Sequence, residues 1–379
     1  MKILADKHIP FIEKALEGLG EALIKHGRDM SPSDFKDIDA YLGRSVRKLG
    51  EEELAASTVQ FASTASVGTD HVDKDYLESH GIAFASAAGC NAVSVADYVT
   101  ASLLNLACTR GFSLQGKSIG IVGAGNVGSR VARRCRGLGM DVILNDPPLR
   151  RASGDEKYRP IDEILGCDFI SFHTPLIRSG VDKTLHYFSN DFASEIRPGA
   201  VLINTSRGAV ADTEAVLKAL DSGRLSDAVI DVWEGEPDIP ARLLKKAFIA
   251  TPHIAGHAIE AKVRAMRMVV NAMCSHFQLS RRVDEKDFLP RPDVEKIKIG
   301  RAGSIECRLN QAVKKVYDIE KDDSSLREIL SVHKDKRPEF FDRLRRDYPV
   351  RREFSTVKSV SAPEDAAALC KAVFPPPER

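Results

Sequence analysis

Along the first ninety or so residues, short apolar runs at 1–4, 59–62 and 82–85 alternate with stretches of helical periodicity. That alternation predicts a small α/β unit, because buried strands read as brief continuous apolar runs and the helices covering them as stripes. From Val95 through Val99, Leu103 and Leu106 the apolar positions fall at helical spacing, and Gly111 follows. A long helix is therefore expected to carry the chain into a second unit. This unit begins at Lys117 and reads strand, glycine turn, helix, strand, with further apolar runs at 169–172, 201–204 and 228–232. Strands separated by helices imply a parallel sheet. A second stripe, Val263, Met266, Val270, Met273 and Phe277, follows Gly256 and is expected to return to the first unit, its methionines filling irregular core space. Beyond Arg281 the pattern changes, with charge clusters at 320–323 and 334–337 around short apolar stretches. The expected division is 1–94 with 258–285 as one discontinuous domain, 95–257 as a second and 286–379 as a third.

Composition narrows the class. With 43% hydrophobic and 29% charged residues in 379, the chain has enough apolar material for two or three cores and is not collagen-like, coiled-coil or largely disordered. Lys plus Arg number 55 against 54 Asp plus Glu, so no overall basic field draws the chain to nucleic acid or to a membrane, and neither is expected as a partner. The seven cysteines are scattered without a CxxC pair, which argues against a zinc cage or a disulfide framework; no metal is expected. Buried reduced thiols and a cytoplasmic location fit better, and the start, charged by its sixth residue, lacks a signal-peptide core.

The apolar run 118–122 delivers the chain into Gly123-Ala-Gly125-Asn126-Val127-Gly128, which opens a helix. In that context the first glycine permits a tight turn, the second lets backbone approach a pyrophosphate, and the third lets helix and strand pack closely, with the helix N-terminus favouring the anion. A second strand ends at Asp146, 18 residues beyond Gly128, where a carboxylate can take ribose hydroxyls and repel a 2′-phosphate. NAD is the expected cofactor, and Arg150 and Arg151 just behind are read as a solvated loop.

Three later strand ends carry ionisable residues: Arg207 in NTSRG, Glu236 in DVWEGEP and His253 in TPHIAG. Singly they read as a surface cation, a loop charge and a core histidine. Together they supply what oxidation of a 2-hydroxy acid needs: a cation for the carboxylate, a base for the hydroxyl proton, and a carboxylate to orient that base.

On GAGNVG, NTSRG, DVWEGEP and TPHIAG, residues 1–285 resemble the D-isomer-specific 2-hydroxyacid dehydrogenase family. The resemblance implies two Rossmann-like doubly wound domains, one inserted into the other, with the site in the cleft between them. It implies that Arg207 binds the substrate carboxylate, that His253 takes the hydroxyl proton and that Glu236 holds His253 and stabilises its cationic form. Asp231, Thr174 and Gly256 match cofactor-lining positions, Asp231 at the nicotinamide end.

A second anion site is expected in the N-terminal domain. Arg44 and Ser45, and the donor-rich turn beginning at Ser66, suit the oxygens of a phosphate, whereas Arg47 and Lys48 read as solvent-facing. Matches at RSV (44–46), GTDHVD (68–73), GCNA (89–92) and NDPP (145–148), continuing into 316–353, are similar to a branch of the family that acts on a phosphorylated hydroxy acid. That branch carries an extra C-terminal α+β domain, which implies a homodimer. This chain departs from the branch pattern with Ser66 for Thr, Ala88 for Pro and His257 for Tyr. His257 is the expected substrate-binding replacement, able to donate a hydrogen bond but pH-dependent near neutrality. The alternatives are a related dehydrogenase of 3-phosphoglycerate or glycerate, and an NAD-sensing interaction protein on the same fold.

Overall fold

The structure is a computed structural model that describes residues 1–378. It divides into two compact units, 1–91 with 258–291, and 92–257 with 292 onward.

The first unit is built on five parallel strands, β1 (Lys2–Asp6), β2 (Glu21–Lys25), β3 (Ala40–Gly43), β4 (Phe61–Thr64) and β5 (Ala83–Ser86), in the order β2-β1-β3-β4-β5. β3 and β4 are buried along their whole length, as strands covered on both faces are, and their sequences, AYLG and FAST, carry no charged residue. The returning helix Ile259–His276 packs on this sheet through Val263, Met266, Val270 and Met273, all fully buried in one core with Ile3, Leu42 and Phe61. Met266 and Met273 are thus core filler.

The second unit opens with the helix Ala92–Arg110. This helix is long and apolar enough to cross a membrane by length and composition, but 89% of that stretch is buried inside the protein as a core helix. Six parallel strands follow: β6 (Ser118–Val122), β7 (Asp141–Asn145), β8 (Phe169–Phe172), β9 (Ala200–Asn204), β10 (Leu225–Ile230) and β11 (Ile249–Ala250). Their order is β11-β10-β9-β8-β6-β7, so β6 lies between the edge strand β7 and β8, and the direction of winding reverses there. Both sheets are Rossmann-like, as expected. Because every strand is parallel, the carboxyl ends of all six lie along one edge of the sheet, which is where this class of sheet carries its ligands.

The C-terminal residues form helices, including Ile305–Val313, Arg337–Arg346 and Glu364–Val373, and a two-stranded parallel sheet of β12 (Lys296–Lys298) and β13 (Ser359–Ser361). They share apolar cores with the nucleotide-type sheet: Ile297, Leu309, Phe354 and Val373 pack with Leu103, Ile119 and Val131, while Leu326, Ile329 and Phe341 pack with Leu202 and Leu244.

The expectation that all seven cysteines are reduced is corrected. Cys108, near the end of the helix Ala92–Arg110, and Cys307, in the helix Ile305–Val313, form a disulfide, their Cα atoms 4.7 Å apart. The packing of those two helices brings together residues 199 positions apart, a pairing that spacing alone could not reveal. The other five cysteines are free and buried.

Candidate active site

At the edge of the second sheet, β6 runs into the glycine loop. A Cβ on Gly128 would meet the Gly123 carbonyl oxygen at 1.9 Å, so only glycine allows the helix Asn126–Gly137 to start this close to the strand end. That helix has no side-chain cap, which leaves its first N–H groups for an anion. Asp146, at the end of β7, accepts from Ala124 N–H in the loop at 2.9 Å and caps the following short helix by accepting from Leu149 N–H at 3.0 Å. Each oxygen keeps a second lone pair for a ribose hydroxyl. Thr174, just past β8, lies beside Gly123, and its Oγ1 is buried without a hydrogen-bond partner. Arg150 and Arg151 are exposed, as expected, but they lie in the short helix Pro147–Ser153 rather than in a loop, and Arg151 pairs with Asp182.

The next three strands carry the ionisable residues. β9 ends at Asn204, whose Oδ1 accepts from the Ser206 N–H and hydroxyl while its Nδ2 donates to the Arg207 carbonyl, so one amide shapes the turn that bears Arg207. A Cβ on Gly208 would stand 2.0 Å from the Trp233 carbonyl, and that close approach keys the Arg207 turn to the loop after β10. In that loop Glu236 accepts from Trp233 N–H at 3.2 Å and meets His253 Nδ1 at 2.6 Å. Burial works to raise the Glu236 carboxyl, but the bond from His253 and the charges of His253 and Arg345 outweigh it and hold it below the ordinary range. With Nδ1–H given to Glu236, Nε2 of His253 is left as the acceptor.

His253 itself has φ 57°, a left-handed conformation uncommon for a side-chain-bearing residue. Asp231, fully buried at the end of β10, accepts from Thr251 Oγ1 at 2.7 Å and from the N–H groups of Ile254 and Ala255 at 2.8 and 3.0 Å, while its carbonyl accepts from His253 N–H at 2.7 Å. Burial pushes its carboxyl above the usual range despite those donors. Gly256 and His257 complete the loop, with the His257 ring edge-on to Tyr348 at 5.7 Å.

In the first unit, Arg44 follows β3 and donates to Asp6 at 2.9 Å, a carboxylate fully buried at the end of β1. Ser45 is exposed in the adjoining turn. Ser66 bonds Thr64 Oγ1 at 2.6 Å, which in turn meets His71 Nε2 at 3.1 Å. Arg47 does not simply face solvent: it donates to the Met30 carbonyl, pairs with Glu53 at 3.4 Å and covers the Phe35 ring. Lys48 is exposed.

Along nearly its whole length the chain is similar to the erythronate-4-phosphate dehydrogenase of Escherichia coli, 41% identical over 378 residues that cover 99% of this chain and 98% of that one. The chain belongs to the erythronate-4-phosphate dehydrogenase family. The enzyme of that name from Proteus mirabilis is 39% identical over 374 residues, 98% of each chain. Residues 91–255 match the family described as D-isomer specific 2-hydroxyacid dehydrogenase, NAD binding domain, and 288–373 match a domain described as of unknown function. Among solved structures, the NAD complex of formate dehydrogenase from Staphylococcus aureus is similar in fold at a TM-score of 0.59 and 24% identity, covering 75% of this chain and 98% of that one. D-lactate dehydrogenase from Aquifex aeolicus, complexed with NAD and lactic acid, gives a TM-score of 0.59 at 25% identity, with 73% and 95% covered.

The residues present fit the NAD of this dehydrogenase family: the glycine cradle, the uncapped helix start, the Asp146 carboxylate and the orphaned Thr174 hydroxyl are all at one sheet edge. A separate cavity of about 490 Å³, lined by Arg130, Arg134, Lys371 and the prolines 375–377, contains none of Arg207, Glu236 or His253. Reading the sequence missed two charged residues, one in each unit, that bond to the segments described above. Asp6, which holds Arg44, was signalled only by an acidic residue closing an apolar strand. Arg351, treated below, left no local signal.

Proposed function

We propose that the chain oxidises 4-phospho-D-erythronate to 2-oxo-3-hydroxy-4-phosphobutanoate, a step of pyridoxal 5′-phosphate (vitamin B6) biosynthesis, in the cytoplasm. The observation that carries the mechanism is the 2.6 Å bond between His253 Nδ1 and Glu236, which commits Nε2 to proton uptake. Bound NAD supplies the hydride acceptor. Arg207 binds the substrate carboxylate and draws electron density from C2. His253 Nε2 removes the C2 hydroxyl proton as the C–H bond breaks, and Glu236 stabilises the imidazolium that results. Gly123, Gly125, Asn126, Val127, Gly128 and Asp146 hold the adenosine and pyrophosphate, with Thr174, Asp231 and Gly256 toward the nicotinamide. Arg44, Ser45 and Ser66 take the phosphate, His257 supplies a further donor, and Asp6 keeps the Arg44 guanidinium oriented. The functional division is 1–94 with 258–285 for substrate, 95–257 for NAD and 286–379 for homodimer formation.

The test is NAD reduction with 4-phospho-D-erythronate beside 3-phosphoglycerate, D-glycerate and unphosphorylated erythronate, with 2-oxo acids added to reoxidise bound NADH. Selective turnover of the first is expected. His253→Ala should lose about 10²- to 10⁴-fold in rate, and Arg44→Ala should raise KM for the phosphorylated acid far more than for erythronate. Preference for another acid overturns the substrate, and NADH binding without any turnover points to a sensor instead.

A further inference from the structure

The two residues after His253 are gripped from both sides. On one side the Asp231 carboxylate takes the N–H groups of Ile254 and Ala255. On the other, the carbonyls of the same two residues are taken by Arg351, which lies almost a hundred positions further along, in the segment that matches a domain described as of unknown function. Arg351 Nη1 donates to Ile254 O at 3.2 Å, and Nη2 donates to Ala255 O at 2.8 Å and to Ser94 O at 2.7 Å. Arg351 is 4% exposed, and its guanidinium carbon lies 4.1 Å from the Tyr317 ring centroid.

Such a cation is costly to bury, and a planar fork of donors is what lets one side chain serve three carbonyls at once. The surroundings hold it in place. Glu353 accepts from Ser94 Oγ at 2.7 Å, and Phe354 N–H donates to Asp97 at 2.8 Å, stitching 351–354 along the start of the helix Ala92–Arg110. Tyr348, whose ring meets His257, donates its hydroxyl to Asp322 at 2.6 Å. Arg345, from the same C-terminal segment, adds its charge to the field at Glu236. The left-handed backbone of His253 is a conformation that persists only where neighbours over-determine it.

We infer that Arg351 is a positioning residue: with Asp231 it clamps residues 254 and 255 and so fixes the imidazole of His253 against Glu236, which gives the C-terminal segment a part in catalysis within its own chain. The inference rests on the reading of His253 as the base. Arg351 touches no reacting atom; it acts through the loop.

The experiment is Arg351→Lys, which keeps the charge but loses the fork, assayed as the NAD-loaded full-length enzyme. The expected result is a fall in kcat of at least about 10-fold, with KM for 4-phospho-D-erythronate and NADH binding little changed, and a displaced acidic limb of kcat against pH. A variant that merely weakened the fold would lower Tm without moving that limb. Wild-type kcat and pH profile in Arg351→Lys, alongside an inactive His253→Ala, overturn the clamp and leave the base intact. A fully active His253→Ala overturns the base instead. Should Arg351→Lys not fold, amide exchange on the intact enzyme decides: the 254 and 255 amides should open together with the Phe354 amide, which ties the Arg351 segment to Asp97, at the same denaturant dependence, and independent opening of the loop overturns the proposal.

Discussion

Two of the chain's ten histidines show how surroundings separate chemistry from structure. His253 is partly exposed with a carboxylate on Nδ1, whereas His173 is held between Ser171 and Thr205 hydroxyls, and burial pushes its imidazole down from 6.5 to about 3. The unfolded chain protonates His173 near 6.5 and the folded one does not, so stability is full above that pH and is lost as pH falls toward about 3. Glu236 is held low, so its contribution is lost only further down, through the carboxylate range. Acidification from neutrality therefore reaches His173 first. We expect His173→Gln to lower Tm at pH 7 yet to lose less Tm than the wild type between pH 7 and 5; equal losses would show that His173 carries none of the acid sensitivity. Arg207, Glu236 and His253 were legible because each sits in a short motif at a strand end. Arg351 was not, since its partners are main-chain carbonyls 96, 97 and 257 residues away, which no side-chain pattern encodes.

The elements themselves were mostly readable, because buried parallel strands are rich in apolar residues, although the short buried strand β3 was not among the runs read. The runs at 59–62 and 82–85 appear as β4 and β5, each ending later than its apolar run because Ser63, Thr64 and Ser86 continue the ladder. β2 escaped notice as a mostly exposed edge strand with little apolar signature. Junctions between elements carried less signal still. Gly208 looked like one glycine among 26, yet it is the point where the β9 turn touches the β10 loop. Gly208→Ala should force the two apart, and since misplacement by about 1 Å can cost on the order of 100-fold, kcat/KM should fall by that order while NADH binding stays. Steady-state kinetics beside NADH fluorescence titration would check this, and unchanged kcat/KM would mean that the turn yields without moving Arg207.

At the scale of the whole molecule, periodicity marked the composition change after Arg281 but gave no hint of what those residues pack against. Their apolar side chains join two cores centred on the second sheet, contacts made between positions far apart in sequence and therefore invisible to a local pattern. The Cys108–Cys307 bond was hidden for the same reason. It encloses the whole second sheet, including the exposed stretch with Arg178, Val181 at 90% exposure, and Lys183. A protease that cuts there leaves two fragments tethered to one another. Trypsin-nicked protein should therefore run as a single full-mass species on a non-reducing denaturing gel and separate into two bands once a reductant is added, whereas separation without reductant would show the thiols unpaired.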